Sequence, residues 1–128
     1  MRLLLDTHVL LWWLADDVCL SAAARALIRD PENVVFVSAV SLWEIWLKQS
    51  LGKLRLPASF EERLAVEPFE NLPLTASQAR HVALLPWHHR DPFDRMLVVQ
   101  AQVEDLVLLT ADATLPAYGD FVRLCSAP

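Results

Sequence analysis

Four carboxylates stand where they could act together: Asp6, Glu44, Asp94 and Asp112. Each lies beside the junction of an apolar run and a helical pattern. Asp6 ends the run Leu3-Leu4-Leu5, and Glu44 lies one turn into the helical pattern after Val34-Val35-Phe36-Val37. Asp94 lies in the first turn of the pattern opened by Asp91-Pro92, and Asp112 follows Leu106-Val107-Leu108-Leu109. Acids gathered in one pocket repel. Two unit charges about 4 Å apart cost about 4 kcal/mol at an effective dielectric of about 20. Such a group either retains protons or holds hard cations, and an all-oxygen donor set favours Mg²⁺ or Mn²⁺. Ions of that kind activate water and neutralise a phosphodiester during phosphoryl transfer. Each acid also has a plainer reading. Asp6 can cap the helix that follows it, and Asp112 can be a turn residue. Glu44 can form a capping box with Ser41 or an i,i+4 pair with Lys48, and Asp94 can complete the same box with Asp91.

The acids share a site only if the backbone brings the junctions to one rim. Leu3-Leu4-Leu5 is apolar on both faces, which places it in the middle of a parallel sheet. A carboxylate at the C-terminal end of such a strand sits where open α/β sheets keep their ligand crevice. Further strands are predicted at Val34–Val37, Phe69–Leu72, Leu106–Leu109 and, as an edge, Phe121–Leu124. Helices are predicted after Asp6, after the cap Ser21 to about Arg29, from Val40 to near Gly52, from Phe60 to Val66, from the cap Thr75 to about Leu85, and from Asp91-Pro92 onward. Strands alternating with helices predict an α/β, three-layer fold around a mostly parallel sheet of about five strands.

Bulk properties narrow the class. The chain has 128 residues, 55% of them apolar and 21% charged, which suits one domain over residues 1–128 and excludes a disordered chain. No apolar run reaches the roughly 20 residues of a membrane span, and no signal peptide is evident. Cys19 and Cys125 show no disulfide framework or metal-type spacing, so the expected location is cytoplasmic. The formal net charge of -5 argues against a protein that simply coats DNA.

The stretches Asp6-Thr7-His8, Ser41-Leu42-Trp43-Glu44-Ile45 with Lys48, Gly52-Lys53-Leu54, His89-Arg90-Asp91-Pro92-Phe93-Asp94-Arg95 and Leu109-Thr110-Ala111-Asp112 together resemble PIN-domain proteins. In particular they resemble the VapC-like ribonuclease toxins of type II toxin–antitoxin systems. The resemblance covers nearly the whole chain, in order. It implies a sheet of order 3-2-1-4-5 and a metal-dependent endoribonuclease acting on structured RNA such as tRNA or rRNA. It also implies a cognate antitoxin that blocks the site, and a homodimer. Carried over position by position, Asp6, Glu44, Asp94 and Asp112 would be the catalytic, metal-binding acids, with Mg²⁺ or Mn²⁺ as cofactor. Thr110 would place a hydroxyl at the site edge. Asp91 is extra to the pattern and reads mainly as a helix cap. A water would attack phosphorus in line and leave 5′-phosphate and 3′-hydroxyl ends.

Around that core, Arg90, Arg95, Lys48, Lys53 and Arg55 are candidates for contacts with the RNA backbone, which position a strand without reading its sequence. Trp12, Trp13, Trp43 and Trp46 are candidates for contact with an antitoxin or a second protomer, because adjacent tryptophans on a helix cannot both face a core. His8 reads as a packed residue of the first helix and His81 as surface. His88 and His89 lie in a loop near the rim. Three other activities compete. An aspartyl-phosphate phosphohydrolase would use Asp6 as nucleophile, but position 8 holds His where such enzymes carry a second acid. A metal-independent ribonuclease would use His88 or His89 and leave 2′,3′-cyclic ends. A catalytically silent module would only bind RNA or protein.

Overall fold

The computed structural model describes all 128 residues. Its centre is β1 (Arg2–Leu5), whose Leu3, Leu4 and Leu5 are completely buried. β1 pairs in parallel with β2 (Val34–Ser38) on one side and with β4 (Val107–Thr110) on the other. Leu3 is in register with Val35 and Val107, and Leu5 with Val37 and Leu109. The short β3 (Glu70–Leu72) and β5 (Val122–Leu124) close the two edges. The sheet is parallel throughout, in the order β3-β2-β1-β4-β5. The family resemblance implied that order.

The pleat of β1 divides the core. Leu3 and Leu5 pack into one cluster with Val9 and Leu10 of α1 (Thr7–Leu14), Ile28 of α2 (Ala22–Arg29), Ile45 of α3 (Ala39–Ser50) and Phe60 of α4 (Phe60–Val66). Leu4 points the other way. It joins Leu97, Val98 and Ala101 of α6 (Pro92–Glu104) and Leu85, which follows α5 (Ala76–His81). Helices therefore cover both faces, as a parallel sheet requires.

All strand C-termini open onto one rim, and the caps there are built from side chains. Asp6 caps α1 by accepting the Val9 amide at 2.8 Å. Asp91 caps α6 by accepting the amides of Phe93 at 2.8 Å and Asp94 at 3.1 Å, with Pro92 in the first turn where its missing N–H costs nothing. Ser21 and Thr75 cap their helices as expected, Thr75 in a full capping box with Gln78. The cap of α3 differs from expectation. Ser38 at the end of β2 fills it, bonding the Val40 amide at 3.0 Å, so no box joins Ser41 to Glu44. The helix expected to reach Leu85 ends at His81 and tightens into a 3-10 turn over Val82–Leu84. A second such turn, Leu115–Tyr118, had no signal that stood apart from a loop.

Leu4 is enclosed by strands on both sides and α6 above, so its surroundings cannot collapse into a void. Leu4→Ala is expected to lower the unfolding free energy by about 2–5 kcal/mol, read as an earlier midpoint in urea with an unchanged slope.

Candidate active site

Asp6 lies at the seam between β1 and β4. Its amide bonds the Leu109 carbonyl at 2.9 Å and continues the ladder past the strand. Its carboxylate, almost fully buried, accepts the Val9 amide on one oxygen. The other oxygen accepts the Ala111 amide at 3.1 Å and the Thr110 hydroxyl. Thr110 thus sits at the site as a donor that fixes Asp6. Glu44, also buried, is held from two directions. Thr7 Oγ1 donates to one carboxylate oxygen at 2.6 Å, and Lys48 Nζ pairs with the other at 2.6 Å. The motif Asp6-Thr7-His8 carries no sign of this role for Thr7, whose link to Glu44 spans 37 positions.

Asp112 follows β4 in a turn. One of its oxygens accepts the Thr114 amide at 2.9 Å and the Thr114 hydroxyl at 2.8 Å. The other lies 2.8 Å from His89 Nε2. Asp94 projects from the first turn of α6, and its Oδ2 is 3.6 Å from the same His89 nitrogen. His89, Asp94 and Asp112 each offer one ligand-type atom, all within 4.8 Å of one another. A cleft of about 320 Å³ is lined by Asp6, Glu44, Asp91, Asp94 and Asp112 together with Lys48, His8, Trp12 and Ala111. The four acids singled out in the sequence therefore share one cleft, with Asp91 beside them.

The charges in this cleft are in conflict. Burial, and then the negative charges of Asp91, Asp6 and Glu44, push the Asp94 carboxyl from 3.8 up to about 7. Burial also raises Asp6, against the bonds from Thr110, Val9 and Ala111. Asp112 goes the other way: burial pushes it up, but the two bonds from Thr114 and the contact with His89 together hold it below the ordinary carboxylate value. The hydrogen bond to Glu44 raises Lys48. Lys48 is the one lysine or arginine lining a cleft with five carboxyls. Five carboxyls against one lysine, with His89 Nε2 beside Asp94 and Asp112, leave an unmet demand for positive charge that fits a hard divalent cation, Mg²⁺ or Mn²⁺.

Other expected contacts fall elsewhere. Arg95, expected to face an RNA backbone, is buried instead. It donates to the carbonyls of Pro86 at 2.9 Å, Val82 at 3.2 Å and Leu85 at 3.2 Å, and stacks 3.7 Å from the Trp87 ring. Lys48 is committed to Glu44. Arg90, Lys53 and Arg55 are exposed, Arg90 at the edge of a neighbouring apolar groove. His8, expected to pack, is exposed at the cleft with its ring edge toward Trp12. Trp12 and Trp13 are both half-buried, Trp12 at the cleft and Trp13 in a separate arginine-lined pocket. Trp43 is 59% exposed and meets Phe93 edge to face, and Trp46 lies against Phe60. His88 is exposed against Tyr118, and His81 is on the surface.

The family model described as PIN domain matches residues 3–120. Ribonuclease VapC22 of Mycobacterium tuberculosis is 34% identical over 119 residues, 90% of each chain. Among solved structures, the VapBC2 complex of Rickettsia felis bound to a DNA fragment from its promoter superposes with a TM-score of 0.71 at 15% identity over 97% of each chain. The DNA-bound VapBC complex of Salmonella typhimurium gives 0.64 at 17% identity over 97% of this chain and 96% of that one. At such identities these two structures speak to the fold.

The crowding at Asp94 has a consequence for the ion-free chain. Folding raises this carboxyl, so the stability it contributes is complete below 3.8 and is lost as pH climbs to about 7. Asp94→Asn removes that loss. A rise from 3.8 to about 7 corresponds to at most ~4 kcal/mol, and solvent at the cleft mouth reduces the expected gain to ~1–2 kcal/mol. In chelator at pH 8 the variant is expected to melt above the parent, with the gap narrowing toward pH 5. Equal melting at both pH values would contradict the crowding.

Proposed function

We propose that this chain, which belongs to the PIN domain family and to its VapC-like ribonucleases, is the toxin of a type II toxin–antitoxin pair and cuts structured RNA, tRNA or rRNA, by metal-dependent hydrolysis. The observation that carries the reading is the meeting of Asp6, Glu44, Asp94 and Asp112 in one cleft at the C-terminal rim of the sheet. The relative from Mycobacterium tuberculosis is named as a ribonuclease, which supports the activity. A toxin–antitoxin complex from Klebsiella pneumoniae shares the fold, with a TM-score of 0.63 at 18% identity over 94% of each chain, which supports an antitoxin partner.

The four carboxylates would hold Mg²⁺ or Mn²⁺. A bound ion of this kind activates water and offsets charge on the phosphodiester. The chain's own work is positioning. Thr110, Ala111 and Val9 leave the Asp6 carboxylate only one way to face. Thr7 and Lys48 do the same for Glu44 from opposite sides. Thr114 anchors one oxygen of Asp112 and leaves the other toward His89 and Asp94. Asp94 accepts no hydrogen bond in this set, so its oxygens are the freest to follow ligand and substrate. Preorganised charge of this sort is worth most in a cleft with restricted water. His88 and His89 need carry no part of the bond breaking.

The whole chain is read as one PIN domain acting in the cytoplasm, and no helix is long and apolar enough to cross a membrane. Exposed Trp43 and Trp46, with half-buried Trp12 at the cleft mouth, are suited to the antitoxin and to a second protomer of a homodimer. Arg90 and Lys53, exposed and unpaired with any acid, are the cations best placed for the RNA backbone.

The test is cleavage of total RNA by the purified chain with Mg²⁺ or Mn²⁺, with chelator, and with Asp94→Asn. Discrete products bearing 5′-phosphates are expected with metal alone, falling on the order of 100-fold or more in the variant. Cutting that survives both chelator and variant would sink the four-acid mechanism. A folded parent that cuts nothing under any condition would point to a binding module.

A further inference from the structure

His89 touches two of the acids yet has no place in the four-acid reading. Its Nε2 lies 2.8 Å from Asp112 Oδ2 and 3.6 Å from Asp94 Oδ2. Proximity alone allows three roles: a ligand to the ion, a base toward water, or a hydrogen-bond donor to Asp112. The opposite ring nitrogen separates them. Nδ1 accepts the backbone N–H of Asp91 at 3.0 Å. An N–H can be received only by a lone pair, so Nδ1 carries no hydrogen. The neutral ring then carries its hydrogen on Nε2, directed at Asp112. A nitrogen bearing that hydrogen has no lone pair for an ion and cannot take a proton from water.

We propose that His89 is a positioning residue: a neutral donor, locked with its hydrogen on Nε2, that orients Asp112 and is neither an ion ligand nor a base. The value of that orientation for catalysis rests on the nuclease reading above, whereas the tautomer does not.

The ring's pose is itself constructed. The His89 amide donates to Tyr118 Oη at 3.1 Å, and Tyr118 donates in turn to the Pro86 carbonyl at 2.8 Å. Buried Arg95 binds the same Pro86 carbonyl and reaches the His89 carbonyl at 3.4 Å. Asp91 closes the arrangement. Its side chain caps the helix that carries Asp94, and its amide sets the tautomer that faces Asp112. One residue thereby places both neighbouring acids. The same logic removes His89 from the ligand group suggested by its distances to Asp94 and Asp112, leaving those two carboxylates of that group. A ring in this tautomer also has no free nitrogen lone pair to serve as the base of a metal-independent mechanism.

The test uses the whole chain labelled with ¹⁵N-histidine. Long-range proton–nitrogen correlation spectra are recorded at neutral pH in chelator and again with saturating Mg²⁺, and the His89 signals are assigned by their loss in His89→Gln. A ring protonated on Nε2 and bare on Nδ1 is expected in both spectra. A hydrogen on Nδ1, or a change of tautomer when Mg²⁺ is added, overturns the proposal. The second measurement is Mn²⁺ affinity by electron paramagnetic resonance. His89→Gln keeps an N–H donor near the position of Nε2 and is expected to stay within a few-fold of the parent. His89→Ala is expected to weaken binding by about 10–100-fold, as for loss of an orienting partner. No imidazole nitrogen coupling to Mn²⁺ is expected in the parent. Such coupling, or a Gln variant as weak as the Ala variant, would mark His89 as a ligand. Neither measurement needs RNA. A chain with the expected tautomer that cuts no RNA would refute the nuclease reading and leave the assignment of His89 in place.

Discussion

Burying one carboxylate at the seam of the sheet is the constraint from which the rest of the site follows. A carboxylate removed from water must find donors for both oxygens or give up its charge. Asp6 finds them in the Val9 amide on one side and in Ala111 and Thr110 on the other. The first belongs to α1 and the others to the end of β4, so the carboxylate bridges two elements that meet only if β1 and β4 are parallel neighbours. The same bonds fix where α1 begins, which sets Thr7 against Glu44. Register, helix start and the placement of the second acid all trace back to the hydration that Asp6 loses.

The remaining acids are brought in against electrostatics. Asp94 shows the cost most clearly, since burial and three negative neighbours raise it to about 7. A site built only for stability would replace such a group with a neutral one. Keeping it makes sense where something positive arrives to relieve the repulsion. The framework nevertheless limits its own strain. Asp6, Glu44 and Asp112 are each anchored by donors, and only Asp94 is left without one. The charge conflict is concentrated on a single unanchored group rather than spread over the cleft.

Much of this could be read from the sequence because local chemistry dictated it. Three leucines ending at an acid can be little else than a central strand meeting its helix. Asp91-Pro92 announces a helix start by capping and by the fixed φ of proline. Residues whose role depends on distant partners were opaque. Ser41 stands in the right spacing for a box with Glu44, but the true cap is Ser38, and beside the expected pair with Lys48 Glu44 takes a bond from distant Thr7. Arg95, next to an acid in the first turn of a helix, reads as an exposed cation. It is buried because the segment from Val82 to His89 folds over it and presents carbonyls that need donors. The ring of His89 takes its meaning from Asp91, Tyr118 and Asp112 at once, and no spacing rule connects those three.

The fate of Arg95 and Lys48 bears on how an acidic chain can handle a polyanion. Both were natural candidates to meet phosphates, and both are used inside the fold: Arg95 holds a loop and Lys48 holds Glu44. The chain carries 11 lysines and arginines against 16 acids, and Lys48 is the one lysine or arginine that lines the cleft. Long-range attraction to an RNA substrate would be correspondingly weak, and a binding mode with few phosphate contacts has a shallow salt dependence. Under the proposed function, recognition would have to come from short-range fit: the shape of a folded RNA against the rim, and charge neutralisation inside the cleft. On that account the enzyme would be selective because it is a poor general binder of nucleic acid. The same acidic cleft would reject RNA once a partner had supplied the positive charge that Asp94 lacks.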